Sequence, residues 1–168
     1  EIIAGDWSSD VCSSDLSVPG VYAVGDVNGG PQFTYISLDD FRIVFGALTG
    51  NGQYTLKDRK NIPYTTFLTP PLARVGLTEE DAINKGYTVK TKEMLVATMP
   101  RAHVNDYLKG AFKIVVNEEN NLILGATLYS QGAEELINLI KMAMDNNIPY
   151  TYFKNQIFTH PTMAENLN

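Results

Sequence analysis

The chain has 168 residues, 44 % hydrophobic and 19 % charged, the composition of a soluble globular protein able to bury one ordinary core and part of a second. A net charge of −6, a pI near 4.8 and 13 basic residues scattered without a stripe argue against a nucleic-acid partner. The longest apolar runs, such as Leu122–Leu128, are far too short to cross a bilayer, and no charged, apolar leader opens the chain, so neither membrane insertion nor secretion is expected.

Near the start, DWSSDVCSSDL (Asp6–Leu16) holds the sole cysteine, Cys12, among serines and aspartates with no period of 2 or 3.6. These eleven residues match, one for one, the translation of a sequencing-adapter oligonucleotide, and Gly5 fits the partial codon ahead of it. Gly5–Leu16 is therefore set aside as a scar, residues 1–16 are read as non-native or uncertain, and the true N-terminal part is expected to lie upstream. Cys12 is then no redox centre. Without Asp6, Asp10 and Asp15 the charge moves from −6 to −3, and the remainder has no cysteine, which suits a reducing, cytoplasmic setting.

From Ser17 onward the pattern becomes protein-like. Val21–Val24 (VYAV) is a short β-rich run bounded by Pro-Gly and Gly-Asp, so it reads as a buried strand ending at Asp26. A Gly/Pro loop follows, and then apolar residues at Ile36, Phe41, Val44, Phe45 and Leu48 keep helical spacing up to a stop at Gly50. Strand, glycine loop and helix N-terminus together make a common ligand site, since free N–H groups and the helix dipole point out of the sheet edge. From the residues alone, Asp26 either caps the loop or faces such a ligand.

Composition shifts after Gly52, where Lys57–Asn61 reads as a charged linker. Tyr64–Leu68 and Ala73–Leu77 read as strands, and Thr78 caps a short helix that ends at Gly86. Tyr87–Met99 partly alternates, as a half-solvated strand does, and Ala111–Ser130 holds two β runs around an Asn-rich turn, a hairpin. Gly132–Asn147 places Leu136, Leu139, Ile140, Ala143 and Met144 on one helix face. The expectation is an α+β fold, an antiparallel sheet with helices on one side.

In the last segment, IFTHPTMAENLN, Pro161 suits a first helical position, with Thr159 or His160 at the cap. Glu165 lies one and a half turns on and within reach of the imidazole. A carboxylate on one ring nitrogen fixes the tautomer and raises the basicity of the other, as a general acid–base requires. The same spacing also fits a capping histidine beside a solvated glutamate. His103, in a polar loop, reads as surface.

Four stretches now stand in order: VYAVGD with its glycine loop and helix, TPPLARVGLTEEDA, GAFKIVV…NLILGATLYS, and THPTMAE. Together they resemble the C-terminal half of the flavin-dependent pyridine-nucleotide disulfide oxidoreductases, which include glutathione reductase, dihydrolipoamide dehydrogenase and mercuric reductase. QFTYISLDDFRIV, RKNIPYTTFLTPPLARVGLTEE and NQIFTHPTMAENLN look most similar to the mercuric-reductase-like bacterial reductases that protect against reactive chlorine species and hypothiocyanous acid. The resemblance implies the last strand and helix of an FAD-binding domain over 17–52 and a dimerisation domain over 53–168. It implies that Asp26 hydrogen-bonds the ribityl chain of FAD, with Gly25 letting the backbone approach. Thr34 and Tyr35 would open the helix that faces the flavin. His160 would be the acid–base that exchanges a proton with a thiol, and Glu165 its orienting partner, both serving the other subunit of a homodimer. The intact protein would carry FAD, use NAD(P)H and act on a small-molecule oxidant or disulfide.

The chain departs from that pattern in holding no G-x-G-x-x-G, no nicotinamide-binding βαβ unit and no C-x4-C pair, so by itself it is expected to be inactive. Without a cysteine near Asn168 the pattern does not support mercuric reduction, and no metal site is assigned. Two alternatives carry the same residues: a non-catalytic homodimerisation module, and a dihydrolipoamide-dehydrogenase-type enzyme.

Overall fold

The computed structural model describes residues 20–168, so Cys12 and the adapter-like Gly5–Leu16 stretch lie outside the described residues. The chain divides into two compact units, Glu1–Lys60 and Asn61–Asn168.

In the first unit, the strand expected over Val21–Val24 is reduced to a single bridge residue, Tyr22, while Val21 and Val24 are exposed. A buried strand needs a ladder on each side, and none forms around this run among the described residues. The chain then makes one 3-10 turn, Gly25–Asn28, closed by Gly29 at φ +76°. Helix α1, Thr34–Thr49, ends where Gly50 turns left-handed at φ +72° and returns its N–H to Ala47 and Gly46, as the sequence implied. Its buried face shares only Ile36 with the apolar stripe expected: Ile36, Asp40 and Ile43 point inward, Val44 is half-buried, and Phe41, Phe45 and Leu48 are exposed. The charged stretch expected as a linker, Lys57–Asn61, spans the boundary between the two units and carries local structure of its own. Thr55 and Asp58 close a reciprocal capping pair on the turn Leu56–Asp58, and Arg59 is drawn into an ion pair described below.

The second unit is the α+β domain expected from the sequence. In chain order it runs β1 (Tyr64–Thr66), β2 (Leu72–Gly76), α2 (Glu79–Asn84), β3 (Val89–Leu95), α3 (Pro100–Val104), β4 (Ala111–Asn117), β5 (Ile123–Tyr129), α4 (Ala133–Asp145) and α5 (Tyr150–Asn155). All strand pairs are antiparallel, in the order β1-β2-β5-β4-β3. The hairpin turn is built by asparagines: Asn117 Oδ1 accepts from the Glu119 N–H, Asn120 Oδ1 from the Leu122 N–H, and Asn121 adopts φ +61°.

Register sorts the two faces. Ala73, Leu128, Phe112 and Met94 stand in one cross-strand row and Val75, Ala126 and Ile114 in the next, all on the face that α4 covers with Leu136, Ile137, Ile140, Ala143 and Met144. The intervening row, Arg74, Thr127, Lys113 and Glu93, puts polar side chains on the opposite face, beside a row of Leu72, Tyr129, Ala111 and Leu95. Two helices escaped the sequence reading. Pro100 sits at the first position of α3 and Ala102 is buried, while Phe153 of α5 anchors in the core. Each is too short for a periodic signal to emerge.

The β2–β5 pair brings backbones into contact at Gly76 and Gly125. A Cβ at Gly125 would stand 2.0 Å from the Leu77 carbonyl oxygen and 2.7 Å from its nitrogen. Gly125→Ala is therefore expected to cost about 3 kcal/mol or more in a denaturant melt, because backbone must move. Gly86→Ala, at φ +84° with nothing within 4 Å, should cost only about 1 kcal/mol. Equal losses would contradict this reading of the strand contact.

Candidate functional site

His160 sits in a loop held at both ends. Phe158 on one side and Met163, Ala164 and Leu167 on the other pack against the core, so the residues between them are pushed outward. The His160–Pro161 bond is cis, and the helix expected to start at Pro161 is instead a 3-10 turn over Ala164–Leu167. Thr162 is the reason: Glu165 Oε1 accepts the Thr162 N–H (3.1 Å) while Thr162 Oγ1 accepts the Glu165 N–H (3.2 Å), a reciprocal capping pair that starts the turn later. Thr162 Oγ1 also donates to the Thr159 carbonyl at 2.8 Å.

One oxygen of Glu165 is thus used to fix its rotamer, and the other, Oε2, lies 2.8 Å from His160 Nδ1. An ionised carboxylate only accepts, so Nδ1 carries the hydrogen and the lone pair of the neutral ring is on Nε2. The imidazole is 67 % exposed and the carboxylate 17 %, which leaves Nε2 outward and the glutamate behind it. The hydrogen bond from His160, aided by that from the Thr162 N–H, holds the Glu165 carboxyl below the ordinary glutamate range against a smaller effect of desolvation. His103, by contrast, is exposed with Nε2 2.8 Å from the Ala97 carbonyl and forms no ion pair among the described residues.

The first unit holds the second set of candidates. Gly25 adopts φ +74°, and Asp26 is exposed with its carboxylate unpartnered among the described residues. Helix α1 has no side-chain cap, its N-cap being Phe33, so the Thr34 and Tyr35 N–H groups meet no acceptor among the described residues. The Tyr35 hydroxyl accepts from Arg42, whose guanidinium lies 5.4 Å from the ring centre. A glycine turn, an open carboxylate and an uncapped helix N-terminus therefore lie within one unit.

The second unit is thus an antiparallel α+β domain that carries an exposed His–Glu pair near its last turn. Residues 62–168 match the pyridine nucleotide-disulphide oxidoreductase dimerisation domain, and the chain belongs to that family. It is 49 % identical over 148 residues to the probable pyridine nucleotide-disulfide oxidoreductase RclA of Escherichia coli K12, covering 88 % of this chain and 34 % of RclA. A mercuric reductase of Staphylococcus aureus is 35 % identical, with 88 % and 27 % covered. The solved structure of the HOCl-induced flavoprotein disulfide reductase RclA from Escherichia coli superposes with a TM-score of 0.88 at 46 % identity, covering 92 % of this chain and 36 % of that one. The chain spans about a third of the length of these relatives.

Sequence reasoning missed three residues that build these sites. Thr162 was legible, since T-M-A-E is the spacing of a capping box. Asp40 and Arg59 were not, because no local pattern joins a helical aspartate to an arginine 19 residues on. For the pair itself, the folded state favours ionised Glu165, so the contact is complete above the glutamate range and is lost as pH falls through the lowered native value. A carbon-detected NMR titration of Glu165 should give a midpoint below the ordinary value of about 4.3, and His160→Ala should raise it. A midpoint unmoved by that substitution would show that the imidazole does not stabilise the carboxylate.

Proposed function

We propose that the intact protein is a homodimeric, flavin-dependent disulfide reductase, in which this chain supplies the dimer surface and the proton-handling pair His160–Glu165. The observation that carries this reading is the outward Nε2 of an imidazole whose other nitrogen is held at 2.8 Å by a pre-set carboxylate. The family is named for pyridine nucleotides, and the RclA structure is that of a flavoprotein. The residues of the first unit fit a flavin in kind: the Asp26 carboxylate accepts from ribityl hydroxyls, Gly25 keeps the backbone bare, and the Thr34 and Tyr35 N–H groups complement an electron-rich ring edge.

When bound, FAD supplies a two-electron relay from NAD(P)H to a cysteine pair. The chain's own residues handle the proton. His160 Nε2 accepts the proton of an attacking thiol, the positive ring is stabilised by Glu165, and the same nitrogen returns a proton to the departing thiolate. In this reading the exposed pair meets thiols brought by the second subunit, so the dimer belongs to the mechanism. Uncovered apolar side chains support pairing: Leu139 and Met142 on α4, Tyr152 on α5, and Ile157 at 96 % exposure just ahead of the histidine. A disulfide or a reactive chlorine species is the substrate class of this reading, with NAD(P)H as reductant; the similarity to RclA, described as an HOCl-induced flavoprotein disulfide reductase, supports it.

In the full-length protein His160→Gln should lower turnover by roughly 10²–10⁴-fold while flavin content stays at the wild-type level. Turnover that survives unchanged would remove the acid–base assignment. Oxidation of dihydrolipoamide with NAD as efficient as reduction of the chlorine-derived oxidant would favour the dehydrogenase reading instead.

A further inference from the structure

The first unit contains an ionised side chain that the proposed mechanism does not use. Asp40 has a relative exposure of 0 % on the inward face of α1, between Ile36 and Ile43. Its Oδ2 accepts from the Gly25 N–H and from Asn28 Nδ2, both at 2.8 Å, and its Oδ1 pairs with a terminal nitrogen of Arg59. Asn28 extends the contact, because its Oδ1 accepts the Gly30 N–H at 2.9 Å. The guanidinium is held from its other edge by Asp39, with Nε 2.6 Å from Oδ2. One carboxylate therefore grips the first N–H and the last side chain of the Gly25–Asn28 turn, and Asp26 lies between the two grips.

Stability does not account for a charge at this position. A buried ion pair exchanged for apolar groups of similar volume is often neutral or stabilising, and the neighbours of Asp40 along the helix face are isoleucines. What leucine would not provide is a fixed acceptor for two donors of the turn. Asp40 lies six residues into the helix that begins with Thr34 and Tyr35, about 9 Å along a rigid axis. The carboxylate thus fixes the turn that carries Asp26 relative to the open N–H groups of the helix start. These are the two groups assigned to opposite parts of the same ligand.

We infer that Asp40, held in place by Arg59, is a positioning residue for flavin binding: through Gly25 and Asn28 it sets Asp26 at the spacing from the α1 N-terminus that an extended, polyhydroxylated cofactor chain requires. The inference rests on the flavin reading above. Asp39 serves the guanidinium rather than the turn, and Tyr54, whose hydroxyl lies 3.4 Å from Asp39, closes the outer side. Burial works against the charge on Arg59, but hydrogen bonds to Asp40 and Asp39 outweigh it and hold its pKa above the ordinary arginine value.

The test is FAD titration of the deflavinated full-length protein, followed by flavin absorbance, for the wild type, Asp40→Asn and Asn28→Ala. Asp40→Asn removes the charge. Asn28→Ala removes one arm of the grip and leaves the buried pair intact, so it keeps the test valid should the first variant fail to fold. The expected result is a rise of about tenfold in the FAD dissociation constant for Asp40→Asn and severalfold for Asn28→Ala, with shifted flavin maxima. The melting temperature of the Asn28→Ala apoprotein should fall by only a few degrees, reflecting the loss of its two part-buried hydrogen bonds, while the flavin maxima shift, a readout that a merely structural role would not move. Wild-type affinity and spectrum in Asn28→Ala and in any folded Asp40→Asn would overturn the inference and leave the flavin reading standing. A wild-type protein that binds no FAD would overturn both.

Discussion

Helix α4 covers one face of a five-stranded sheet, and in the second unit most other placements follow from that single act of burial. Only one face has the rows to receive it: Ala73, Leu128, Phe112 and Met94 stand across four strands, and Leu136, Ile137, Ile140 and Ala143 descend onto them. Burial of this apolar area is the dominant favourable contribution in the domain. It also dictates where the chain runs afterwards. Tyr150 and Phe153, then Phe158, Met163 and Leu167, continue along the same core, so the final segment is threaded along a surface already built. His160 falls between two of these anchors and projects because its neighbours are pinned.

A surface histidine needs no special explanation, and the difference here lies in Glu165. Its carboxylate makes two commitments, one to the Thr162 N–H and one to the imidazole, and the first is what makes the second reproducible. A glutamate free to rotate would offer the imidazole only a passing partner, since exposed ion pairs are worth little against side-chain entropy. Tied into the cap of a 3-10 turn, it holds its second oxygen where the ring nitrogen must be. Backbone capping and proton chemistry thus use one side chain.

How much of this could be read from the sequence depended on whether the signal was local. The Thr78 cap and the asparagine turn act over a few residues and appear as expected, and α4 is amphipathic as expected except that Leu139 is exposed and Ile137 takes its place in the core. The His160–Glu165 contact was legible for the same reason. The failures have a common cause too. Val21–Val24 has the composition of a strand, but strands exist only in ladders, and the described residues provide one bridge. Of the α1 stripe Ile36, Phe41, Val44, Phe45 and Leu48 only Ile36 is fully buried, because burial is decided by the whole environment and here selects Ile36, Asp40 and Ile43. Lys57–Asn61 does span the boundary between the two units, but the ion pairs of its Arg59 had no local signal, because Asp39 and Asp40 in the preceding helix are remote in sequence.

The proposed chemistry and the proposed flavin contact make different demands on the chain. Proton transfer needs a ring that reaches outward into a space completed by another subunit, so exposure of His160 is a requirement of the task. Recognition of an extended cofactor needs groups at fixed spacing, and a short glycine-rich turn does not hold such spacing unaided, because glycine leaves the backbone the widest choice of conformations. A buried carboxylate gripping both ends of the turn removes that freedom, at the cost of burying a charge that then has to be balanced by Arg59. The second unit anchors its reactive residue by packing and capping around it. The first has little core of its own among the described residues, and it secures its loop by electrostatics where hydrophobic burial is scarce.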